Sequence, residues 1–382
     1  MPARANISRA ERVSPGATSR HNLRVNVTRS PVQPGLSDRR GRRVGAGLRR
    51  LSVAAATLLG LLGAAPAVAA HGVGVPPAPD AAELILGWSF DPTIWVPLLA
   101  SAAAYLWAVR RVDAAHPSNP VPRDRPVFFL LGLVAIAIAL QSGVERYDTT
   151  LFSLHMVQHV ILIFLAAPAI VLSAPITLIL RVASPGIRNR RLLPILESRL
   201  VRLVGHPLVA WILFAAVMWG THFSPLFDAA LENVWLHNLE HLLYVFSSFL
   251  FWLPIVGRDP SPWRMGFPGR LLYLFSQMPL NSFLGVAILY SGTTLYPHYA
   301  TTGRLWGPTP LADQQAAGAL MWGLGDAGFL VALLLVIAAW MRNEEAATRR
   351  REAVDDARAA GGATPVEPAL TVDSVSPGTP SA

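Results

Sequence analysis

From residue 92 onward the chain alternates long apolar runs with short polar ones, and the apolar runs carry almost no charge. Seven of them, at about 92–109, 126–143, 151–180, 206–222, 235–256, 270–291 and 315–341, approach the ~20 residues that cross a bilayer as a helix. The third run is the longest and holds Pro168 and Pro175. Proline lacks an N–H and clashes with the preceding turn, so this run is predicted to kink or to emerge before its end. In the sixth run Gln277 and Asn281 flank Pro279 and are expected to repair the backbone bonds that the proline frees. The pattern predicts an all-α membrane protein, with a bundle of seven transmembrane helices over residues 85–342.

The flanks read differently. Residues 1–50 are rich in Arg, Pro, Ser and Gly with no hydrophobic period, the composition of a disordered basic cytoplasmic tail. The stretch RRGRRVGAGLRR then leads into LSVAAATLLGLLGAAPAVAA (51–70). A basic region, an apolar region and a small-residue ending predict a signal peptide, with an uncleaved signal anchor as the alternative. Residues 343–382 are polar and are expected to form a disordered cytoplasmic tail.

Composition supports the membrane reading. Hydrophobic residues make up 52% of the chain and charged ones 14%, against roughly 25% charged in soluble domains. The net charge of +9 does not imply nucleic acid. Twelve of the 32 basic residues, all arginine, fall in residues 1–50, and the remaining 332 residues nearly balance. A basic tail on a neutral apolar body is not a nucleic-acid groove. There are no cysteines, which excludes disulfides and thiolate metal sites.

Arginine also orients the spans. The 110–125, 181–203 and 257–270 loops and the C-terminal tail hold eighteen arginines, and the alternate loops hold only Arg146 and Arg304. By the positive-inside rule the mature N-terminus is expected outside and the C-terminus in the cytoplasm. His71, His155, His159, His222, His237, His241 and His298 then all fall at or near the outer face. His155 and His159 are four apart in SLHMVQHVIL, so they share a helix face. WLHNLEHLLYVF repeats the spacing with His237 and His241, and His222 closes the fourth run. Polar side chains in a bundle turn inward, so these five imidazoles are expected to converge.

Separate hydrogen bonds to neighbouring helices would satisfy single histidines, but two paired sets and a fifth on one side favour a metal. Imidazole without thiolate suits Zn, Cu, Fe or Ni, and thioether selects Cu(I). Met156 and Met218 lie at a suitable depth, Met278 and Met321 farther along, each more readily read as core filling. Asp326, mid-span in WGLGDAGF, and Asp313, at the start of the seventh run, are supporting candidates. For Asp313 helix capping competes with a role at the site.

Three other classes compete. Bis-His haem would use one histidine from each of two helices and leave its partner unexplained. His237 to His241 fits the inverted zincin pattern H-x-x-E-H, but a third protein ligand is lacking and His155 and His159 go unused. A proton-coupled transporter would use the histidines and Asp326 as a relay, without the internal repeat many transporters show.

HMVQHVILIFLAAPAIVLSAPITLILR, HPLVAWILFAAVMWGTHFSPLF, LHNLEHLLYVFSSFLFWLPIVGRDPSP, RLLYLFSQMPLNSFLGVAILYSGTTLYPHY and DQQAAGALMWGLGD resemble the CtaG family of bacterial cytochrome c oxidase assembly factors. The resemblance covers about residues 85 to 345. It implies a multi-pass protein of a bacterial plasma membrane that assists a haem-copper oxidase, with oxidase subunits as partners and no catalytic turnover. The family's histidine pattern falls on His155, His159, His222, His237 and His241, and its acidic pattern on Asp313 and Asp326. Copper as the bound metal, and these histidines as its ligands, are expectations from their chemistry.

Overall fold

The structure, a computed structural model, describes residues 75–361. The expected basic tail, the signal segment and His71 lie outside the described residues. Among the described residues all regular structure is helical. Helix α1 (Ala81–Leu86) is short and is followed by α2 (Pro92–Ala115) and α3 (Asp124–Gln141). A one-residue step at Ser142 leads into α4 (Gly143–Asp148), which completes the second span. The third run divides into α5 (Phe152–Ile161), α6 (Ala167–Leu172) and α7 (Pro175–Val182). After a series of short turns come α8 (Pro207–His222), α9 (Leu226–Glu232), α10 (Val234–Val256), α11 (Phe267–Leu289), α12 (Pro297–Thr301) and α13 (Pro310–Gly361). Among the described residues six helices are long and apolar enough to cross a membrane, or seven if α8 and α9, a pair bent by 69°, count as one span. The chain is a multi-pass helical membrane protein.

The third span is the hub, packing on α13, α10 and α3. Its irregularities follow from its prolines. Residues Leu162–Ala166 form a π turn in which the Ala167 N–H reaches back to the Leu162 carbonyl. The Ile163 carbonyl would next look to residue 168, which is proline and has no N–H. The Trp252 indole of α10 donates to that carbonyl at 2.9 Å instead. A π turn is a recurrent device beside functional sites, and this one lies one turn from His159. Lower down, Ala174 adopts a left-handed φ of 52° before Pro175 and separates α6 from α7. Asp259 caps the new helix, accepting from Thr177 N at 2.7 Å and Thr177 Oγ1 at 2.6 Å.

Helix α8 spans 16 residues, about 24 Å at 1.5 Å per residue, and so is short for a ~30 Å hydrocarbon layer. Taken together with α9, bent from it by 69°, it reaches the length and apolarity of a span, and His222 at the bend is buried inside the bundle. Helix α13 differs from the sequence expectation. It does not give way to a disordered tail at residue 343 but continues as helix to Gly361. The segment is rich in Ala, Glu and Arg and free of Gly and Pro between 329 and 360, and the Arg349–Glu345 pair at 2.6 Å adds support one turn apart.

Helices α11 and α13 approach most closely through glycines. A Cβ on Gly318 would lie 2.6 Å from the Leu289 backbone nitrogen and 2.8 Å from the Gly285 carbonyl oxygen. Neither backbone atom can move aside, so small residues are required here. Gly318→Val is expected to destabilise the bundle by about 1–3 kcal/mol, the usual cost of overpacking. A thermal melt in detergent checks this against Gly323→Ala on the same helix, where the added Cβ meets nothing within 4 Å.

Candidate metal centre

All five sequence-predicted imidazoles meet between α5, α8 and α10. The spacing of four puts His155 and His159 on one stripe of α5, and His237 and His241 on one stripe of α10. The ring centroids of each pair are 4.3 Å apart. His155 stacks on His237 at 5.3 Å, His159 lies 6.1 Å from both His241 and His222, and His155 lies 6.3 Å from His241. None of the five residues is more than 4% exposed. Phe227 of α9 closes one side, 5.0 Å from His155 and 5.5 Å from His222, and Tyr244 stacks on His159 at 4.1 Å.

Carboxylates that sequence reasoning passed over complete the group. Glu240 of α10 and Asp148 of α4 are 2% and 0% exposed. His237 Nε2 lies 3.4 Å from Asp148 Oδ2, and His155 Nε2 lies 3.9 Å from Glu240 Oε2. Among the described residues two triads could hold a metal ion: Asp148 with His237 and His241, and His155 with His237 and Glu240. In each, one donor atom per residue lies within 4.8 Å of the others. Ligands about 2.0–2.1 Å from a tetrahedral ion sit about 3.3 Å apart, so closure needs only small side-chain shifts. His237 belongs to both triads.

The signals for these residues were in the sequence. Glu240 sits inside HNLEH, where it drew notice only as part of a protease pattern. Glu145 and Asp148 are three apart in GVERYD, at the end of an apolar run, where ionisable groups are costly unless used.

Hydrogen bonds decide which ring nitrogens carry lone pairs. His222 Nδ1 lies 2.7 Å from the Met218 carbonyl, which can only accept, so the proton is on Nδ1 and the lone pair on Nε2. That Nε2 finds no hydrogen-bond partner among the described residues. Gln158 does the same service for His241. Its amide nitrogen donates to Glu145 Oε2 at 2.5 Å and to the Ala139 carbonyl at 3.0 Å. Its oxygen must therefore accept from His241 Nε2, at 3.0 Å, which places that ring's lone pair on Nδ1. Both nitrogens of His155 and His159 and both oxygens of Glu240 also lack hydrogen bonds among the described residues. Leaving one such group buried and unsatisfied costs about 1–3 kcal/mol. Several together fit a site built for a ligand that supplies what the protein withholds. Imidazole and carboxylate donors without thiolate suit copper, zinc, iron or nickel.

Neither aspartate expected as a supporting group belongs to the two triads. Asp313 caps α5, accepting from Phe152 N at 2.7 Å and Ser153 Oγ at 2.6 Å, and faces Arg304 Nη1 at 3.6 Å. It thus fixes the start of the helix that carries His155 and His159. Asp326 accepts from Asn281 Nδ2 at 3.1 Å and Ser282 Oγ at 2.5 Å and joins α11 to α13. Asn281 does not repair the backbone at Pro279, as expected from sequence; its amide reaches Asp326 and the Met321 carbonyl, both on α13. His298 lies outside the ring cluster, its Nε2 donating to the Thr149 carbonyl at 3.0 Å.

The connection after α11 braces this end of the bundle. Tyr299 donates to the Asp148 carbonyl at 2.8 Å and Tyr296 to the His222 carbonyl at 3.2 Å. Burial pushes both phenols above their ordinary range, with the nearby carboxylates adding to the shift, so each stays a neutral donor. Tyr147 donates to Glu83 Oε2 at 2.8 Å, which holds α1 across the same end.

Residues 103–343 match the model of the cytochrome c oxidase caa3 assembly factor family. Uncharacterized proteins of Mycobacterium bovis and Mycobacterium tuberculosis are each 31% identical to the chain over 282 residues. A Mycobacterium leprae counterpart is 29% identical over 279 residues. Each alignment covers 71% of this chain and 42% of the relative, so the chain spans less than half the length of these curated relatives. No solved structure matches significantly. With a match across the histidine helices and most of the bundle, the chain belongs to the cytochrome c oxidase caa3 assembly factor family.

Proposed function

We propose that the chain binds copper at the His–carboxylate cluster and delivers it to a haem-copper oxidase during assembly. The observation that carries this reading is the convergence of five buried imidazoles with Asp148 and Glu240, in which the His155 and His159 rings, His222 Nε2 and the Glu240 carboxylate have no hydrogen-bond partner among the described residues. Arginine asymmetry supports an extracytoplasmic position for the cluster, and on this reading the ion enters from outside the cell. It is received between Asp148, His237 and His241 or between His155, His237 and Glu240. Because His237 serves both, an ion can change partners by exchanging two ligands while keeping the third. Stepwise exchange of this kind suits a carrier that must also release its cargo to a docked oxidase subunit. Family membership supports the destination, and donor chemistry supports the ion.

Metal analysis of the purified full chain tests the reading. Wild type is expected to retain copper, and His155→Ala/His159→Ala to retain markedly less. Equal copper in both removes the binding role and leaves a scaffold for the oxidase.

A further inference from the structure

The two metal triads use three of the five histidines. His159 and His222 belong to neither. They face a separate small cavity between α5, α8 and α13, whose walls include Met156, Met218, Met321 and Asn281. All three methionines are buried. Both nitrogens of His159, and the His222 Nε2 that carries its lone pair, are buried atoms without hydrogen-bond partners among the described residues. Three methionines and two imidazoles with nitrogens left unpartnered among the described residues thus line one void.

We propose that this cavity is a second, soft metal site that takes Cu(I) on His159, His222 and the thioethers of Met156, Met218 and Met321. The proposal deepens the copper reading above and rests on it. Donor type separates the two sites: thioether selects Cu(I), whereas imidazole with carboxylate accepts divalent ions. Charge separates them as well. Asp148 and Glu240 can neutralise a divalent ion, and a neutral His/Met set leaves a monovalent ion with only one charge to bury. A low-dielectric interior favours that division. Each site takes an ion in the valence in which it arrives, so no electron transfer between them is required. The cavity continues to Asn281 and Gly325, at the contact of α11 with α13.

The test titrates the full-length purified chain with Cu(I), held reduced and buffered by a chromophoric chelator, and separately with Cu(II). The triple variant Met156→Leu/Met218→Leu/Met321→Leu keeps side-chain volume. It is expected to bind Cu(I) at least about tenfold more weakly than wild type and to bind Cu(II) unchanged. X-ray absorption of the Cu(I)-loaded wild type should show sulfur neighbours that the variant lacks. Unchanged Cu(I) affinity in a variant that still binds Cu(II), or nitrogen neighbours alone in wild type, overturns the soft site and leaves the His–carboxylate site standing. Wild type that binds neither ion overturns the copper reading itself. If the triple variant does not fold, as judged by lost Cu(II) binding, Met218→Leu alone and the wild-type absorption spectrum decide.

Discussion

His237→Ala is expected to weaken copper binding more than any other single histidine substitution, by about 100-fold or more, or about 2.7 kcal/mol. The reason is geometric. His155 and Glu240 form a triad only with His237, and so do Asp148 and His241. Removing His155 leaves Asp148, His237 and His241; removing His241 leaves His155, His237 and Glu240. Each of those variants should retain a weaker but measurable site, whereas His237→Ala reduces both triads to pairs. Equilibrium dialysis of the three variants beside wild type checks the order. His298→Ala is the control, since that ring lies outside the cluster and donates to the Thr149 carbonyl. Equal losses for His155→Ala, His237→Ala and His241→Ala would mean that the ion is held by all the rings at once and that no ligand is shared between alternative sites. In cells, His237→Ala should leave the oxidase poorly assembled while the variant is still present in the membrane.

That ranking was not legible in the sequence, although much of the fold was. Hydropathy and length are local properties, and they located the start of each span to within about five residues, including the long third run and its proline break. Spacing of four along α5 and α10 is also local, and it put the histidine pairs on common stripes. Glu240, Asp148 and Gln158 were not found because their roles depend on which helix faces which. Glu145 and Asp148 belong to the turn that ends the second span, and only the packing of α4 against α5 brings them to Gln158 and the rings. Asp313 shows the same limit from the other direction. Capping, one of the two roles open to it, suggested the start of α13, but the helix it caps is α5, 160 residues earlier for Ser153. The helical continuation to Gly361 was missed for a different reason: a polar composition with high helix propensity resembles a disordered tail unless its spacing of opposite charges is weighed.

Gln158→Leu should produce the second large effect, although Gln158 belongs to neither triad. Gln158 is fully buried and holds three groups at once: Glu145, the Ala139 carbonyl and His241 Nε2. Leucine fills nearly the same space but leaves a buried carboxylate and a carbonyl without donors, a loss of about 3 kcal/mol or more. It also removes the acceptor that keeps the His241 proton on Nε2, so the ring can turn or change tautomer and offer the wrong nitrogen. Partners of this kind typically contribute 10–100-fold to metal affinity. The measurements are a thermal melt and a copper titration of the same preparation. A role in packing alone predicts that leucine is tolerated. A role in positioning predicts that it is not, and that the exchange Glu145→Gln/Gln158→Glu restores part of the affinity, because a carboxylate at 158 still accepts from His241 while an amide at 145 donates to it. Recovery in the exchange but not in Gln158→Leu identifies the hydrogen bond, rather than the volume, as what holds the His241 ring in place.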